Sequence, residues 1–220
     1  SLGTLASGIL HEIGNPLASI LGLLNEIQEL FKTEQLGIND RKIIDNYLSM
    51  VFNELNRLTR ISEDVSNFSN MTSDDDNLVD LNNLIERTCR LILHDERMWH
   101  IELEVDLDKN IPAIKLANDR FVQVLQNLIG NAIDALEDNK EEALIIVRSA
   151  LKNGNILISV KDNGSGMSPE FLAQAGQEFF TTKSKGTGLG LSICYSLVTK
   201  MNGSMNINAT ETHGCEIIIT

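Results

Sequence analysis

The sequence predicts an α+β protein made of two unlike parts, residues 1–72 and 73–220, and three observations carry that prediction. The first part holds two long runs of apolar residues at helical spacing. The polar, acidic stretch SNMTSDDDN at residues 69–77 then offers almost nothing to bury and reads as a linker. Beyond it, helical and strand-like patterns mix around a well-marked hairpin.

In the first part, Ile9, Ile13, Ile20, Leu24, Ile27 and Phe31 recur at steps of three, four or seven, the mark of one apolar helix face. After a polar break over Thr33 to Asp40, the series Ile44, Tyr47, Val51, Leu55, Leu58, Ile61, Val65 and Phe68 repeats the spacing. Two such helices joined by a short loop form an antiparallel hairpin, which cannot enclose its own apolar stripes. A symmetric dimer closing a four-helix bundle is the expected solution; packing of the hairpin on the second part is the alternative. A calcium loop at Asp74 to Asp76 lacks the following Gly and Glu that such loops use.

In the second part, Leu81 to Leu93 is helix-periodic, IELEVD alternates as a strand, and Asp119 to Glu137 presents Phe121, Val122, Leu125, Leu128, Ile129, Ala132 and Ile133 on one helical face. In ALIIVRSALKNGNILISVKD, Asn153-Gly154 separates two β-branched runs, as a tight turn with positive φ requires. Leu189 to Met201 is helix-like, and GSMNINA and CEIIIT supply two last strands. The expected architecture is an α+β layer of two or three helices on one face of a sheet that includes several adjacent antiparallel strands.

Composition narrows the function. With 42% apolar residues in 220, a sizeable core is within reach. The net charge of −13 disfavours a nucleic-acid backbone as partner, because that needs a basic surface. No apolar run is long enough to span a membrane, and the opening SLGTLASGIL lacks the basic flank and cleavage pattern of a signal peptide. The start without Met, inside an apolar-periodic run, is expected of a fragment whose membrane link, if any, lies upstream. Cys89, Cys194 and Cys215 are odd in number and match no zinc spacing, so a reducing, cytoplasmic setting is expected.

Three clusters in the second part are able to carry chemistry. Asn127 and Asn131 are four apart on one helix and point from one face, where amide oxygens suit a hard cation that also holds phosphates; bonding to a neighbouring loop is the plain alternative. Asp162-Asn-Gly164-Ser-Gly166 follows a strand. It is either an ordinary turn or an ionised acceptor beside a backbone that a flat ligand approaches closely. Phe179-Phe-Thr-Thr-Lys183-Ser-Lys-Gly186-Thr187-Gly188-Leu189-Gly190 opens a helix, placing amides and a lysine where phosphate binds at a positive helix terminus; a flexible loop would use the same glycines. The spacing is neither GxGxxG nor a P-loop.

Together and in this order, the clusters resemble the nucleotide site of the GHKL (Bergerat-type) ATPases, an α/β sandwich. The resemblance implies that Asp162 accepts from the adenine amino group of ATP, that Gly164 and Gly166 admit the base, and that Asn127 and Asn131 sit at Mg²⁺ and the phosphates. Lys183, Gly186, Thr187, Gly188, Leu189 and Gly190 would belong to the lid. Hydrolysing members carry a water-activating Glu one turn before the metal-binding Asn; here that position is Asn127, so the nucleophile is sought elsewhere.

It is found in the first helix. His11 lies two residues from both Ile9 and Ile13, about 200° round the helix from each, so it is expected to face solvent, with Asn15 on the same face and Glu12 adjacent. The run His11-Glu12-Ile-Gly-Asn15-Pro16 resembles the phosphoacceptor box of sensor histidine kinases, and with the other motifs the resemblance covers essentially the whole chain. It implies attack by the His11 imidazole on the γ-phosphate with Glu12 accepting the ring proton, transfer to an Asp of a response-regulator receiver domain, and a water positioned by Asn15 for dephosphorylation. A neutral imidazole near pH 7 has the lone pair this requires, and Pro16 weakens the helix just beyond.

Two departures stand out: Gly14 replaces a longer polar residue common in relatives, and Gly176-Gln-Glu178-Phe-Phe stands where F-x-P-F is frequent. His94, His100 and His213 match no motif and read as structural or surface residues, and Trp99, the one tryptophan, reads as a packing residue rather than a ligand platform. Other readings are an ATP-driven conformational machine, a non-catalytic dimeric scaffold, or a serine kinase of the anti-sigma type, for which the HExxN hairpin has no use.

Overall fold

A computed structural model describes residues 2–32, 37–69, 77–137, 142–177, 180–181, 188–210 and 213–220; the side chains of residues 2–9, 11, 12, 38, 60 and 63–69 lie outside that description. The chain divides near residue 70 into two compact units. The expected boundary between residues 72 and 73 falls outside the described residues.

The first unit is a hairpin of α1 (Leu2–Phe31) and α2 (Ile38–Ser69), with α1 unbroken through Pro16. At the start of α2 the Asp40 carboxylate accepts the Gly37 amide at 2.8 Å, supplying the first turn's missing acceptor. The seam is regular at steps of three and four. Ile13, Pro16, Ile20, Leu23, Ile27 and Leu30 of α1 are buried or half-buried, as are Ile44, Tyr47, Val51, Glu54, Leu58 and Ile61 of α2. A second apolar stripe stays exposed: Leu10, Leu17, Leu21, Leu24 and Phe31 on α1, with Leu48, Phe52 and Leu55 on α2. The single face expected on α1 is thus two faces, Leu24 and Phe31 belonging to the outer one. Two apolar stripes on one helix mean two packing partners, and α2 supplies only one.

The second unit opens with β1 (Asn77–Val79) and α3 (Leu81–Ile92), whose N-cap Asp80 accepts from the Asn83 amide at 3.0 Å. A 3-10 turn (Glu96–His100), β2 (Glu102–Leu107), β3 (Ile114–Leu116), α4 (Asn118–Ala135), β4 (Leu144–Lys152), β5 (Asn155–Asp162) and the short α5 (Pro169–Leu172) follow. The chain closes with α6 (Gly190–Lys200), β6 (Met205–Ala209) and β7 (Cys215–Ile219). Asn153 at φ 52° and Gly154 at φ 82° turn β4 into β5 as the dipeptide predicts.

The main sheet has the order β2-β4-β5-β7-β6. Its β2–β4 pair is parallel while the other three are antiparallel, so the several adjacent antiparallel strands expected are present and one parallel pair is added to them. The reason is connectivity: the chain leaves β2, passes through α4 and returns to β4, and a crossover helix delivers the next strand in the same direction. β1 and β3 pair as a separate two-stranded ribbon, three residues each and too short for a periodic signal.

Strand alternation separates two faces. Ile145, Val147, Ile158, Val160, Ile217 and Ile219 are buried toward the helices. The opposite face is polar, with Asp106 and Arg148 ion-paired at 3.4 Å and Lys161 in register with Glu216. On the helical side α4 buries Phe121, Val124, Leu125, Leu128, Ile129, Ala132 and Ile133, each large side chain stabilising by about 1.5–3 kcal/mol. This apolar wrap fixes the rotation of α4 and leaves Asn127, Asn131 and Asp134 on its half-buried flank.

Candidate functional site

α4 is the axis of the site. Asn127 and Asn131 sit one turn apart on its half-buried side, and Asn127 Nδ2 is fully enclosed yet makes no hydrogen bond among the described residues. An enclosed amide hydrogen without an acceptor costs about 1–3 kcal/mol, so a ligand oxygen at that point would relieve a real penalty.

The second component is the loop after β5. Asp162 is 5% exposed, and its Oδ1 accepts from the Gly164 amide at 2.9 Å and the Cys215 amide at 3.3 Å. The neighbouring Asn163 pins this loop to the start of β4: Oδ1 accepts the Leu144 amide at 2.8 Å and Nδ2 donates to the Glu142 carbonyl at 2.7 Å.

Glycines allow the loop to dock. A Cβ on Gly164 would lie 2.5 Å from the Ala135 carbonyl oxygen, and the Ser165 amide donates to that same oxygen at 3.4 Å. Gly166, at φ 68°, has no room for a Cβ against the Thr210 carbonyl, and Gly214, at φ 78°, none against the Asp162 carbonyl. Ala135 is the last residue of α4, so the Asp162 loop is joined both to the asparagine helix and to the β6–β7 turn. At Gly164 and Gly166 the missing side chain is what permits these close backbone approaches within the protein.

Electrostatics carry the imprint of this packing. The Cys215 thiol is pushed up to about 12, first by burial and then by the negative charges of Asp162 and Glu216. Arg97, on the 3-10 turn, donates to Asp134 Oδ1 at 2.8 Å and to Asp95 at 2.7 Å. It therefore ties the last turn of α4 to the segment after α3, holding the helix end on which the Asp162 loop rests.

Of the lid residues, Lys183, Gly186 and Thr187 lie outside the described residues. Gly188, at φ 67°, turns the chain into α6. Leu189 is buried, and its carbonyl accepts the Ser192 hydroxyl at 2.8 Å and the Ile193 amide at 2.9 Å. Gly190 starts the helix, with open space where a side chain would be. α6 lies against α4, with Cys194 Sγ 3.9 Å from the Val124 carbonyl. Near the departed F-x-P-F position, Gly176 at φ 88° abuts the Tyr195 ring, while Glu178 and Phe179 fall outside the described residues.

His11, Glu12 and Asn15 all lie in α1. Asn15 is exposed; the side chains of His11 and Glu12, and so the expected solvent-facing pose of the imidazole, are outside the described set. Trp99, expected to pack, is instead 92% exposed, and sequence reasoning missed Arg97, Asn163 and Gly214. Only Gly214 carried a usable signal, a glycine immediately ahead of a strand.

Residues 1–74 match the family model described as His Kinase A (phospho-acceptor) domain, and residues 117–220 that described as Histidine kinase-, DNA gyrase B-, and HSP90-like ATPase. The sensor histidine kinase ZraS of Escherichia coli (strain K12) is 32% identical over 97% of this chain and 44% of that protein. The catalytic domain of histidine kinase ThkA is 30% identical, covering 66% of this chain and 93% of that one with a TM-score of 0.58. ThkA in complex with the response regulator protein TrrA superposes over 99% of this chain and 60% of that one, with a TM-score of 0.74 at 24% identity, a likeness of fold. The chain spans less than half the length of the curated relatives it matches.

Proposed function

The chain belongs to the sensor histidine kinase family, and from that premise we propose that it phosphorylates its own His11 from ATP and passes the phosphoryl group to an aspartate of a response-regulator receiver domain. The observation that carries this reading is the junction of Asp162 with α4. A carboxylate fixed by two backbone amides is joined, through Ala135, to the helix bearing Asn127 and Asn131.

In this reading Asp162 accepts from the exocyclic amine of adenine, its position fixed before the base arrives, so little ordering cost falls on binding. Asn127 and Asn131 face the phosphates, and the enclosed Nδ2 of Asn127 finds its acceptor there. A Mg²⁺ ion would be held by the amide oxygens of Asn127 and Asn131. Bound in that way, the ion would neutralise charge developing on the transferring group. Lys183 and the glycine-rich run belong to the phosphate-binding part of the site.

With Asn127 where hydrolysing relatives place a base, water is left unactivated. His11 supplies the attacking nitrogen lone pair, and Glu12 takes the proton from the other ring nitrogen as the N–P bond forms and the bond to the leaving ADP oxygen breaks. Asn15, one turn on, positions water for dephosphorylation of the regulator. The outer stripe of Leu17, Leu21, Leu24 and Phe52 is covered by the hairpin of a second copy, completing a four-helix bundle. No described helix is long and apolar enough to cross a membrane. ATP as phosphoryl donor and three free thiols accord with a cytoplasmic setting.

The test is incubation with γ-labelled ATP and Mg²⁺. Acid-labile, alkali-stable label that disappears in His11→Gln is the expected result. Label on Ser or Thr, or ATP turnover that survives the substitution, overturns the proposal.

A further inference from the structure

Among the described residues β2 is an outer strand of the main sheet, paired on one side only, with β4. The Glu102 amide donates to Ala143 at 2.8 Å and the Asp108 amide to Ser149 at 3.2 Å. In a parallel ladder this phase turns the backbone groups of residues 102, 104 and 106 toward β4 and those of Leu103, Val105 and Leu107 away from the sheet. Among the described residues no hydrogen bond is made to these outward groups.

The two sides of this edge differ chemically. Toward the helices lies an open groove of ≈ 400 Å³, bordered by Glu86, Cys89, Arg90 and Leu93 from α3 and its end, by Leu103, Val105 and Leu107 from β2, and by Lys109 just beyond it. Leu93 and Val105 are 54% and 40% exposed in it. On the opposite face Glu102, Glu104 and Asp106 stand in a row, all exposed. Asp106 is paired with Arg148, whereas neither Glu102 nor Glu104 is in an ion pair among the described residues.

We propose that the β2 edge takes up an extended segment of a partner protein in which apolar and basic side chains alternate. A strand added there satisfies the outward backbone groups of residues 103, 105 and 107. Its period of two sends one set of side chains into the groove against Leu93 and Val105, and the other beside Glu102 and Glu104. The acidic row also selects against a second copy of this chain. Antiparallel β2–β2 pairing would set Glu102, Glu104 and Asp106 of one copy against the same residues of the other, and like charges opposed across strands are destabilising. Edge charges that bar self-association are the ones that welcome a basic strand.

The experiment uses the whole 220-residue chain and capped octapeptides: Val and Lys alternating, Val and Glu alternating, and a block peptide with four Val followed by four Lys. The alternating Val-Lys peptide is expected to bind about tenfold or more tightly than either control and to slow hydrogen exchange at the amides of Leu103, Val105 and Leu107. Glu104→Lys together with Glu102→Lys, both on the solvent face, is expected to reverse the preference toward Val-Glu. Equal binding of the alternating and block Val-Lys peptides, unchanged exchange at the three amides, or concentration-dependent self-association that slows exchange at those amides overturns the proposal.

Discussion

Gly214 and Asp162 meet backbone to backbone: the glycine, at φ 78°, leaves no room for a Cβ beside the Asp162 carbonyl, and the next residue's amide donates to Asp162 Oδ1 at 3.3 Å. The β6–β7 turn thus sets both the position and the charge environment of the carboxylate. Gly214→Ala is expected to cost about 1–2 kcal/mol from the left-handed backbone alone, with further loss from displacing Asp162. Titration with a fluorescent ATP analogue should show nucleotide affinity falling at least about tenfold; unchanged affinity would mean that Asp162 does not need this clamp.

Asn127 gives a test in which stability and function move oppositely. Its enclosed Nδ2 lacks an acceptor among the described residues, so Asn127→Leu is expected to raise the thermal midpoint by a few degrees while abolishing phosphorylation of His11. Calorimetry beside the labelling assay reads both. A lowered midpoint would show that the amide is already satisfied within the fold.

Glu12→Gln keeps the size of the side chain and removes its basicity. Autophosphorylation is expected to fall by about 10²–10⁴ with ATP affinity unchanged, and Asn15→Ala to spare autophosphorylation while slowing loss of phosphate from the regulator. Single-turnover labelling and regulator dephosphorylation assays separate the two effects.

The outer stripe predicts an oligomeric consequence. Leu21 and Leu24 are 61% and 44% exposed, so Leu21→Glu with Leu24→Glu leaves the α1–α2 seam intact and is expected to shift sedimentation from dimer to monomer. A dimer that survives this pair would place the interface elsewhere.

Alkaline pH provides a thermodynamic test. Burial, aided by Glu86, raises the Cys89 thiol to about 11, and burial, with Asp162 and Glu216, raises Cys215 to about 12, against an ordinary value of 9.0. The unfolded chain therefore loses these protons first. Their contribution to stability is whole below pH 9 and is lost as pH rises toward 11–12. Urea unfolding between pH 8 and 11 should show a decline that is shallower in Cys89→Ala with Cys215→Ala, and a thiol reagent at neutral pH should label the native chain only after denaturant is added.

Sequence periodicity found the long helices, the Asn153-Gly154 hairpin and the last two strands because each repeats a period or uses a turn dipeptide with one conformational meaning. It missed the direction of β2, since the pairing of Glu102 with Leu144 is set by the crossover between them and by nothing local. It merged the inner and outer stripes of α1, because steps of three, four and seven fit either. Asp162, Asn127 and Asn131 stood out through their motifs. Arg97 and Asn163 did not, because a single arginine or a turn asparagine has no spacing to betray it.

The crossover also bears on when the site comes into being. The β4–β5 hairpin is able to form from neighbouring residues, but β2 and β4 close only when the segment carrying α4 has been drawn across the sheet, a contact of long sequence separation. Nucleotide therefore meets its full set of contacts only on the finished second unit, and any stabilisation it confers by mass action falls on that unit as a whole.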